Sequence, residues 1–269
     1  MLHDRGGPMS GLAVRDLHDL TDLRDVAAMF NRIWRPPAGV DAVGLEWLRA
    51  LSHAGNYVAG AYAGGRIVGA SVGFLSAPAG LALHSHLTGA DKGHGIGFAL
   101  KLHQREWALA RGLDRITWTF DPLVRRNAHF NVAKLGASPE EYLPSFYGAM
   151  TDAINGDDDS DRVLTTWRLA EPGVVAAAGR QPYRREIPWD AAVGLGEADG
   201  RPVPGRTDAA TVLVAVPQDI EGLRRADPAA ARSWRLAMRE VLGGLLAGGG
   251  RVTGFHRRSF YVVERDGPT

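Results

Sequence analysis

The segment LALHSHLTGADKGHGIGFALKLHQREWALARGLDRITWTF, residues 81–120, decides the fold of this chain. Residues 81–88 form a largely apolar run that predicts a strand. A cluster of glycines follows at 89–97 and leads into a stretch that predicts a helix over 96–111. Residues 115–120 alternate between large apolar and polar side chains, which predicts a second strand. The segment thus indicates a strand, a glycine loop, a helix and a strand in succession, within a mixed α/β fold.

The glycine loop, Lys92-Gly93-His94-Gly95-Ile96-Gly97, predicts an anion site suited to a diphosphate. Glycines let backbone amides approach a ligand closely, and the start of a helix favours negative charge. Two common phosphate-binding motifs are excluded. The loop lacks the Gly-Lys-Ser/Thr of a Walker motif, and Phe98 or Leu100 stands where the last glycine of a dinucleotide fingerprint is required.

Periodic apolar residues predict the elements on either side of this segment. Up to residue 170, they are strands over 12–14, 57–62, 66–75 and 163–169, and helices over 19–34, 43–52 and 127–135. The acidic segment at 155–161 lacks the ligand spacing of a calcium loop and predicts a solvated loop.

The composition changes after Ala170. Residues 171–210 are rich in proline, glycine and alanine, which predicts extended connections over a surface. Asp227-Pro228 predicts the start of a helix that runs to about Ala247. Strands are predicted on either side of that helix, at 211–216, 251–255 and 259–263. We therefore expect four segments: a disordered N-terminus at 1–10, a core at 11–170, the connection at 171–210, and a small β-α-β-β unit at 211–269 packed on the core.

The composition also excludes several classes of protein. The chain has 269 residues and a formal net charge of +1, which argues against binding along a nucleic acid. It has no cysteine, so disulfides and thiolate metal sites are excluded. No run approaches the roughly 18 to 20 apolar residues that span a membrane. We expect a protein of the cytoplasm without a membrane or nucleic-acid partner.

The loop and its flanking elements resemble the GNAT superfamily of N-acyltransferases. The acyl-CoA loop of that superfamily has the signature Gln/Arg-x-x-Gly-x-Gly/Ala, and Lys92, Gly95 and Gly97 match its spacing. The order of predicted elements over residues 12–169 is also similar.

A second motif supports the resemblance. Asn127 and the run Lys134-Leu135-Gly136 are similar to the superfamily's second conserved segment. The sequence WTFDPL at 118–123 is similar to a bacterial branch with a C-terminal extension. Some members of that branch look like amino-acid N-succinyltransferases.

The resemblance implies a twisted central sheet flanked by helices, with the small β-α-β-β unit as an extension. It implies transfer of an acyl group to the amine of a small molecule, from acetyl-CoA or another acyl-CoA, and without a metal. Succinyl-CoA is an alternative donor. The cofactor-binding residues implied are Leu87, Thr88, Lys92, Gly93, His94, Gly95, Ile96, Gly97, Phe98 and Asn127. Leu87 and Thr88 would present backbone groups to the pantetheine arm and thioester, and Asn127 would also cap its helix.

Two positions depart from the superfamily pattern. Lys92 replaces the usual arginine or glutamine, which keeps a charge but loses the planar fork. Val132 stands where relatives often have a tyrosine that protonates the departing thiolate. Tyr142 and Tyr147 are candidates to replace it, although a thiol with a reference pKa near 8.5 is a tolerable leaving group without one.

The predicted catalytic residues are His84, His86 and Asp121. Many relatives have a glutamate on the strand before the loop, where this chain has His84 and His86. Residues two apart share one face of a strand, so both imidazoles are expected to point the same way, and histidine suits accepting a proton from an amine. The alternative for either histidine is a buried, hydrogen-bonded strand residue. Asp121 ends the next strand, as a ligand contact or as an Asp-Pro turn former.

The predicted substrate-binding residues are Arg162 and Tyr147. A guanidinium can hold a substrate carboxylate with two hydrogen bonds. For Arg162, a plain surface position is the favoured alternative. A succinyltransferase needs such a group for its second carboxylate, which Arg125 or Arg126 could also supply. A CoA-binding sensor without turnover is a further alternative, and a homodimer is an alternative to a monomer.

Overall fold

The computed structural model describes residues 11–93, 95–148, 158–181 and 186–265. The chain divides into two compact units, residues 1–117 and 118–269. The N-terminus at 1–10, predicted to be disordered, lies outside the described residues.

The first unit is built on a mixed sheet. Strands β1 to β4 are antiparallel neighbours, and β5 pairs in parallel with β4. The elements are β1 (Leu12–Asp16), α1 (Leu20–Trp34), α2 (Leu45–His53), β2 (Tyr57–Ala63), β3 (Arg66–Ser76), β4 (Ala82–Ala90), α3 (Ile96–Leu109) and β5 (Arg115–Phe120). The last three residues of β5 belong to the second unit. Every element predicted between residues 12 and 120 is present, with ends that shift by one or two residues.

Helices cover both faces of this sheet. Ala70 and Val72 of β3 pack in the core formed with α1 and α2. Ser71, between them, points to the other face and hydrogen-bonds Gln104 of α3. Gly69 lets α3 approach closely, because a Cβ there would lie 2.6 Å from Ile96 Cγ2.

In the second unit, β7 lies between β5 and β6. The first elements are α4 (Arg125–Ala128), which continues as a π-helical stretch at His129–Lys134, then β6 (Ser138–Leu143), β7 (Arg162–Arg168) and α5 (Pro172–Ala178). The sequence pattern missed β6, since a proline and two glutamates hide a strand that lies at the end of the sheet order, where such residues are tolerated.

A second sheet of five strands, ordered β11-β12-β10-β8-β9, occupies the C-terminal part. Its elements are β8 (Ala192–Ala198), β9 (Arg201–Pro204), β10 (Thr211–Ala215), α6 (Ile220–Ala226), α7 (Pro228–Met238), a π-helical stretch at Arg239–Gly243, α8 (Gly244–Ala247), β11 (Arg251–His256) and β12 (Phe260–Glu264). Asp227 caps α7 as predicted, because its carboxylate accepts from the backbone N–H of Ala230 at 2.9 Å.

Residues 171–210 differ from the extended connections that were expected. They contain α5 and two strands, and β8 pairs in parallel with β10. Gly194 makes this pairing close, since a Cβ there would lie 2.5 Å from Val212 Cγ1. A glycine that reads as a loop signal in sequence is thus a packing requirement of the sheet.

Candidate functional site

The glycine loop presents exposed backbone at the start of α3. Gly93 has a φ of 99° and Gly95, which precedes the first helical residue, has a φ of 70°. A Cβ on either glycine would meet no neighbour within 4 Å, so the left-handed backbone is what calls for glycine here. Lys92, Gly93 and Gly95 are exposed, and the first turn of α3 carries no acidic side chain. This arrangement suits an anion at the positive end of the helix.

The remaining predicted cofactor-binding residues of the loop differ in exposure. Ile96 is buried against Ala61, Val68 and Leu100, while Gly97 and Phe98 are half-buried. His94 lies outside the described residues. The buried Ile96 fixes the start of α3 on the sheet.

Strand β4 carries a bulge at the predicted catalytic histidines. Val72 of β3 pairs with Leu87 and Gly73 pairs with Ser85, which leaves His86 as the extra residue. A bulge interrupts the ladder and re-aims side chains, and it is common next to active sites. The parallel pairing of β4 with β5 covers Ala82–His84.

His84 and His86 point to the same side, as the sequence suggested. Their ring centroids are 6.4 Å apart, and the ring of Phe74 lies 5.2 Å from His84 and 6.0 Å from His86. His84 is half-buried with Nδ1 3.1 Å from Thr117 Oγ1, whereas His86 is exposed. The cluster therefore joins an anchored imidazole to an accessible one.

Both histidines favour the neutral form. Burial, then the neighbouring His86 and then Lys101, lower the pKa of His84 to about 4. Burial also lowers the pKa of His86, which keeps one side open to solvent. Neutral imidazoles can accept a proton, which is the state that general-base chemistry requires.

Leu87 and Thr88 are fixed by their side chains. Leu87 packs against the core of α1 and α2, and Thr88 Oγ1 lies 2.7 Å from Ser71 Oγ. At Gly89 a Cβ would lie 2.8 Å from Ile33 and 2.9 Å from Trp34, so the end of β4 sits directly against α1. This packing immobilises the backbone that the resemblance assigns to the pantetheine arm.

Asp121 is held in a buried ion network of the second unit. Arg235 donates to both of its oxygens at 2.9 Å, Arg224 pairs with Oδ2, and the Leu123 backbone N–H donates to Oδ1. Burial alone raises the pKa of Asp121, but the two guanidiniums outweigh it and hold that pKa well below its usual range. The carboxylate suits structural pairing, so we correct its predicted catalytic role and leave it out of the mechanism proposed below.

The acidic segment at 155–161 is not a solvated loop over its described part. Asp158 pairs with Arg224 and Arg235, and Asp161 with Arg239. Tyr142 donates to Asp161 at 2.7 Å, and burial, followed by that carboxylate, raises the tyrosine pKa well above its usual range. Tyr142 therefore holds its proton too tightly to replace the tyrosine absent at Val132 as an acid. Val132 itself is buried in the π-helical stretch.

The predicted substrate-binding residues lie together. The Arg162 guanidinium is buried and sits 5.3 Å from the ring centroid of Tyr147, while Tyr147 is exposed and its hydroxyl is 3.1 Å from Thr119 Oγ1. Arg162 also donates to the Asp161 carbonyl at 2.9 Å. The expectation of a surface arginine is wrong, since this guanidinium is enclosed by an aromatic ring and buried charges.

Arg125 and Arg126 are bound to other groups of the second unit, and Asn127 does not cap its helix. Arg126 makes two hydrogen bonds to Glu221, and Arg125 donates to the carbonyls of Val216 and Pro217. Asn127 is the third residue of α4 and Val124 is the cap, so the predicted capping role is wrong.

Sequence reasoning missed two buried polar residues beneath the histidines. Lys101 and Gln104 lie on the inward face of α3 with Leu100 and Trp107. Their spacing of three within the apolar repeat was a readable signal, because polar side chains at core positions need partners. Nothing in the local pattern names those partners, which come from β3 and β4.

Among the residues described, no helix is both long and apolar enough to span a bilayer. Within 11–93, 95–148, 158–181 and 186–265, no group of three or more His, Asp or Glu side chains is placed to hold a metal ion.

Solved structures share this architecture. A protein from Salmonella typhimurium described as an acetyltransferase, solved with its cofactor acetyl-CoA, aligns with a TM-score of 0.50 at 15% identity over 60% of this chain and 96% of its own. A GNAT-family acetyltransferase from Streptococcus pneumoniae aligns at 0.46 and 19% identity over 58% and 97%. A ribosomal-protein-alanine N-acetyltransferase from Brucella melitensis gives 0.47 and 17% over 58% and 99%. No protein-family model and no curated protein sequence matches the chain.

The chain therefore has the GNAT fold over about three-fifths of its length. A five-stranded sheet in the C-terminal part is additional to it. At this level of identity the likeness concerns the fold, and the activity is argued from the site.

Proposed function

We propose that this protein is an N-acyltransferase that moves an acyl group from acyl-CoA to the amine of a small molecule in the cytoplasm. One observation carries the proposal: a glycine loop that presents backbone amides at a helix start directly follows a bulged strand with two neutral histidines. An anion site and a pair of proton acceptors on one strand-loop-helix unit are the parts that this reaction needs.

The loop is the proposed diphosphate site of acyl-CoA. Backbone N–H groups at residues 93–98 would donate to the phosphate oxygens, and exposed Lys92 would add a charge without the fork of arginine. The backbone of Leu87 and Thr88 is proposed to meet the pantetheine arm and the thioester carbonyl, with Asn127 as a further contact. Acetyl-CoA is the first donor to test, since the Salmonella structure of this fold contains it.

The proposed reaction is direct attack of the amine on the thioester carbonyl. The amine must first lose a proton, and an α-ammonium with a pKa of roughly 7.7 to 8.0 releases it to a modest base. A C–N bond then forms, the C–S bond breaks, the CoA thiolate leaves, and the nitrogen of the new amide releases its second proton to solvent. His86 is the better acceptor of that proton, because it is exposed, whereas burial, His86 and Lys101 lower the pKa of His84 to about 4.

The thiolate is proposed to leave without a dedicated tyrosine. Val132 is buried and the Tyr142 proton is held by Asp161. Tyr147 is exposed, but its hydroxyl is engaged by Thr119. A thiol with a reference pKa near 8.5 departs as the anion at neutral pH and takes a proton from water.

Arg162 and Tyr147 are the proposed contacts for a carboxylate on the acceptor or on a succinyl donor. Arg125 and Arg126 are bound to other groups of the second unit. Arg162 is proposed for this task because its buried guanidinium lies 5.3 Å from the ring centroid of the exposed Tyr147. Arg162→Lys keeps the charge and loses the fork, so it should raise KM for a carboxylate-bearing substrate and leave CoA binding unchanged.

Thiol release tests the proposed function. The protein is mixed with acetyl-CoA or succinyl-CoA and a panel of amines and amino acids, and free thiol is measured over time. Release that depends on both a donor and an amine supports the enzyme and names the donor. Tight CoA binding with no release from any pair would instead support a sensor, and neither binding nor release would refute both.

His86→Ala tests the assignment of the base. We expect kcat to fall about 100-fold, the usual contribution of a general base, while the Kd for CoA changes less than about twofold. Titration calorimetry with CoA supplies the binding measurement. Equal losses in kcat and in CoA affinity would show that His86 supports the strand instead of accepting the proton.

A further inference from the structure

A series of side-chain hydrogen bonds contacts β4 on both sides of its bulge. The Lys101 ammonium on α3 donates to Ser85 Oγ at 2.9 Å and to Gln104 Oε1 at 3.0 Å. Gln104 Nε2 donates to Ser71 Oγ of β3 at 3.3 Å, and Ser71 Oγ lies 2.7 Å from Thr88 Oγ1. This series of hydrogen bonds contacts β4 at Ser85 and again at Thr88, so His86 and Leu87 lie between the two points of contact.

We propose that Lys101 is a positioning residue for the histidine pair: anchored on α3, it holds Ser85 and thereby the bulged segment of β4 that presents His84 and His86. The proposal rests on the proposed function, because positioning matters only if these histidines serve a reaction. Lys101 does not touch substrate in this scheme.

The bulge explains why such an anchor is needed. An extra residue disrupts the ladder locally, so the segment around His86 has fewer backbone constraints than the rest of β4. Ser71, Ser85, Lys101 and Gln104 are all buried, which makes their hydrogen bonds strong and their loss costly. The network therefore replaces part of the missing ladder with side-chain bonds to a helix and a neighbouring strand.

Burying an ammonium group costs folding free energy, which argues against a role for Lys101 in packing alone. Burial lowers the pKa of Lys101 to about 7, a shift that opposes folding at lower pH. Methionine would fill a similar volume without that cost. What lysine adds is a set of directed donors and a charge close to the histidines.

The charge has a measurable effect on His84. The groups that act on His84 are His86 on its own strand and Lys101 on α3, while Phe74 of β3 and Thr117 of β5 are neutral. Lys101 disfavours the imidazolium, so removing its charge must raise the pKa of His84 from about 4. The rise stays below the full difference to a free histidine, since burial and His86 remain.

The test compares Lys101→Met with Glu106→Gln, which removes an exposed charge from the same helix. In protein labelled at histidine, NMR titration between pH 3.5 and 6.5 follows each imidazole. We expect Lys101→Met to raise the pKa of His84 and to weaken the contact signals between His86 and Phe74, and Glu106→Gln to leave both as in wild type. These readouts do not depend on any catalytic activity.

Kinetics separate positioning from binding. Lys101→Met is expected to lower kcat roughly tenfold to a hundredfold, with KM for acetyl-CoA within about twofold of wild type. Ser85→Ala removes the hydrogen bond but keeps the charge, so it should lower kcat and weaken the His86–Phe74 signals with little change in the pKa of His84. It also serves if Lys101→Met does not fold.

The failures of the two proposals are distinguishable. Folded Lys101→Met or Ser85→Ala protein with wild-type kcat and wild-type histidine signals overturns the positioning role. A wild-type protein that releases no thiol from any donor overturns the proposed function, while the titration still shows whether Lys101 sets the state of the histidines.

Discussion

At the scale of single residues, buried charged side chains serve two purposes in this molecule. The Asp121 carboxylate and its arginines form a compensated network, with partners on every oxygen. Lys101 instead meets the neutral groups of Ser85 and Gln104, close to two histidines. Compensated ion pairs hold a structure together, whereas a perturbed titratable group beside a partly exposed histidine pair points to function.

Asp121→Asn should destabilise the protein by about 3–5 kcal/mol, because it removes one of the two carboxylates that pair with the buried guanidiniums of Arg224 and Arg235, and Asp158 alone cannot balance both charges. Urea unfolding at pH 7 measures the loss. The matched control is Asp208→Asn, which alters an exposed ion pair and should leave the midpoint unchanged.

The pH dependence of this loss is a second check on Asp121. Its pKa is lowered on folding, so its stabilisation is present above the unfolded value of about 3.9 and disappears as pH falls below it. The difference between wild type and Asp121→Asn should stay constant from pH 8 to 5 and shrink below pH 4. A constant difference down to pH 3 would contradict the ion network.

His84→Gln should make the protein less sensitive to acid. The pKa of His84 falls on folding from about 6.5 to about 4, so the unfolded chain binds the proton first and wild type loses stability as pH falls from 6.5 to 4. Glutamine can still reach Thr117 but does not titrate. Urea midpoints at pH 6.5 and 4.5 should therefore converge in the variant, whereas exposed His53→Gln should retain the wild-type difference; the same difference in both variants would contradict the neutral state of His84.

At the scale of elements, local pattern predicted the first unit well and the C-terminal part less well. The strand, loop and helix at 81–111 combine a period of two, a glycine cluster and a period near 3.6, which are signals within one segment. Strand β6, with Pro139 and two glutamates, and strand β8, with Gly194 packed on Val212, depend on neighbours far along the chain. Their sequences carry no local signal strong enough to show them.

In the candidate site too, some features depend on local sequence and others on residues far apart along the chain. The histidine pair and the loop lie close together in one segment of the sequence, so sequence alone predicts both. It also predicts that the two histidines share a face of the strand. The bonds from Lys101 to Ser85 and from Arg235 to Asp121 join residues 16 and 114 positions apart, and only the fold brings them together. Local sequence therefore predicts the groups that we propose to face a ligand more readily than the groups that hold them in place.

Gly95→Ala tests the loop as an element. Alanine at a φ of 70° is strained by roughly 1–2 kcal/mol, and a Cβ there meets no protein atom, so the change acts on the loop conformation and on whatever lies against it. We expect the Kd for CoA to rise at least tenfold in titration calorimetry. Gly64→Ala, at a φ of 56° in the β2–β3 turn with equally open space, carries similar strain and should leave that Kd unchanged. Equal Kd values for the two variants would contradict the proposed binding of the diphosphate at this loop.

At the scale of the whole molecule, the GNAT fold ends before the chain does, and the second unit is built from both parts. Asp121 precedes residue 170, whereas its partners Arg224 and Arg235 come after it. The Tyr261 hydroxyl of β12 donates to the Pro122 carbonyl at 2.8 Å. The segment expected as a packed extension thus completes a core whose acidic half lies in the GNAT-like part.

A chain ended at Ala170 should therefore fail to fold its second unit. The truncation removes Arg224, Arg235 and Arg239, so the carboxylates of Asp121 and Asp161 lose the guanidiniums that pair with them. Buried carboxylates without a partner are strongly destabilising. We expect poorly dispersed amide NMR signals for residues after 117. Asp158 loses Arg224 and Arg235 as well. A second truncated chain carrying Asp121→Leu and Asp161→Leu removes two of these three charges, so partial recovery there would trace the failure to electrostatics. A truncated wild-type chain with dispersed signals for the residues after 117 would instead show that residues 11–170 fold alone.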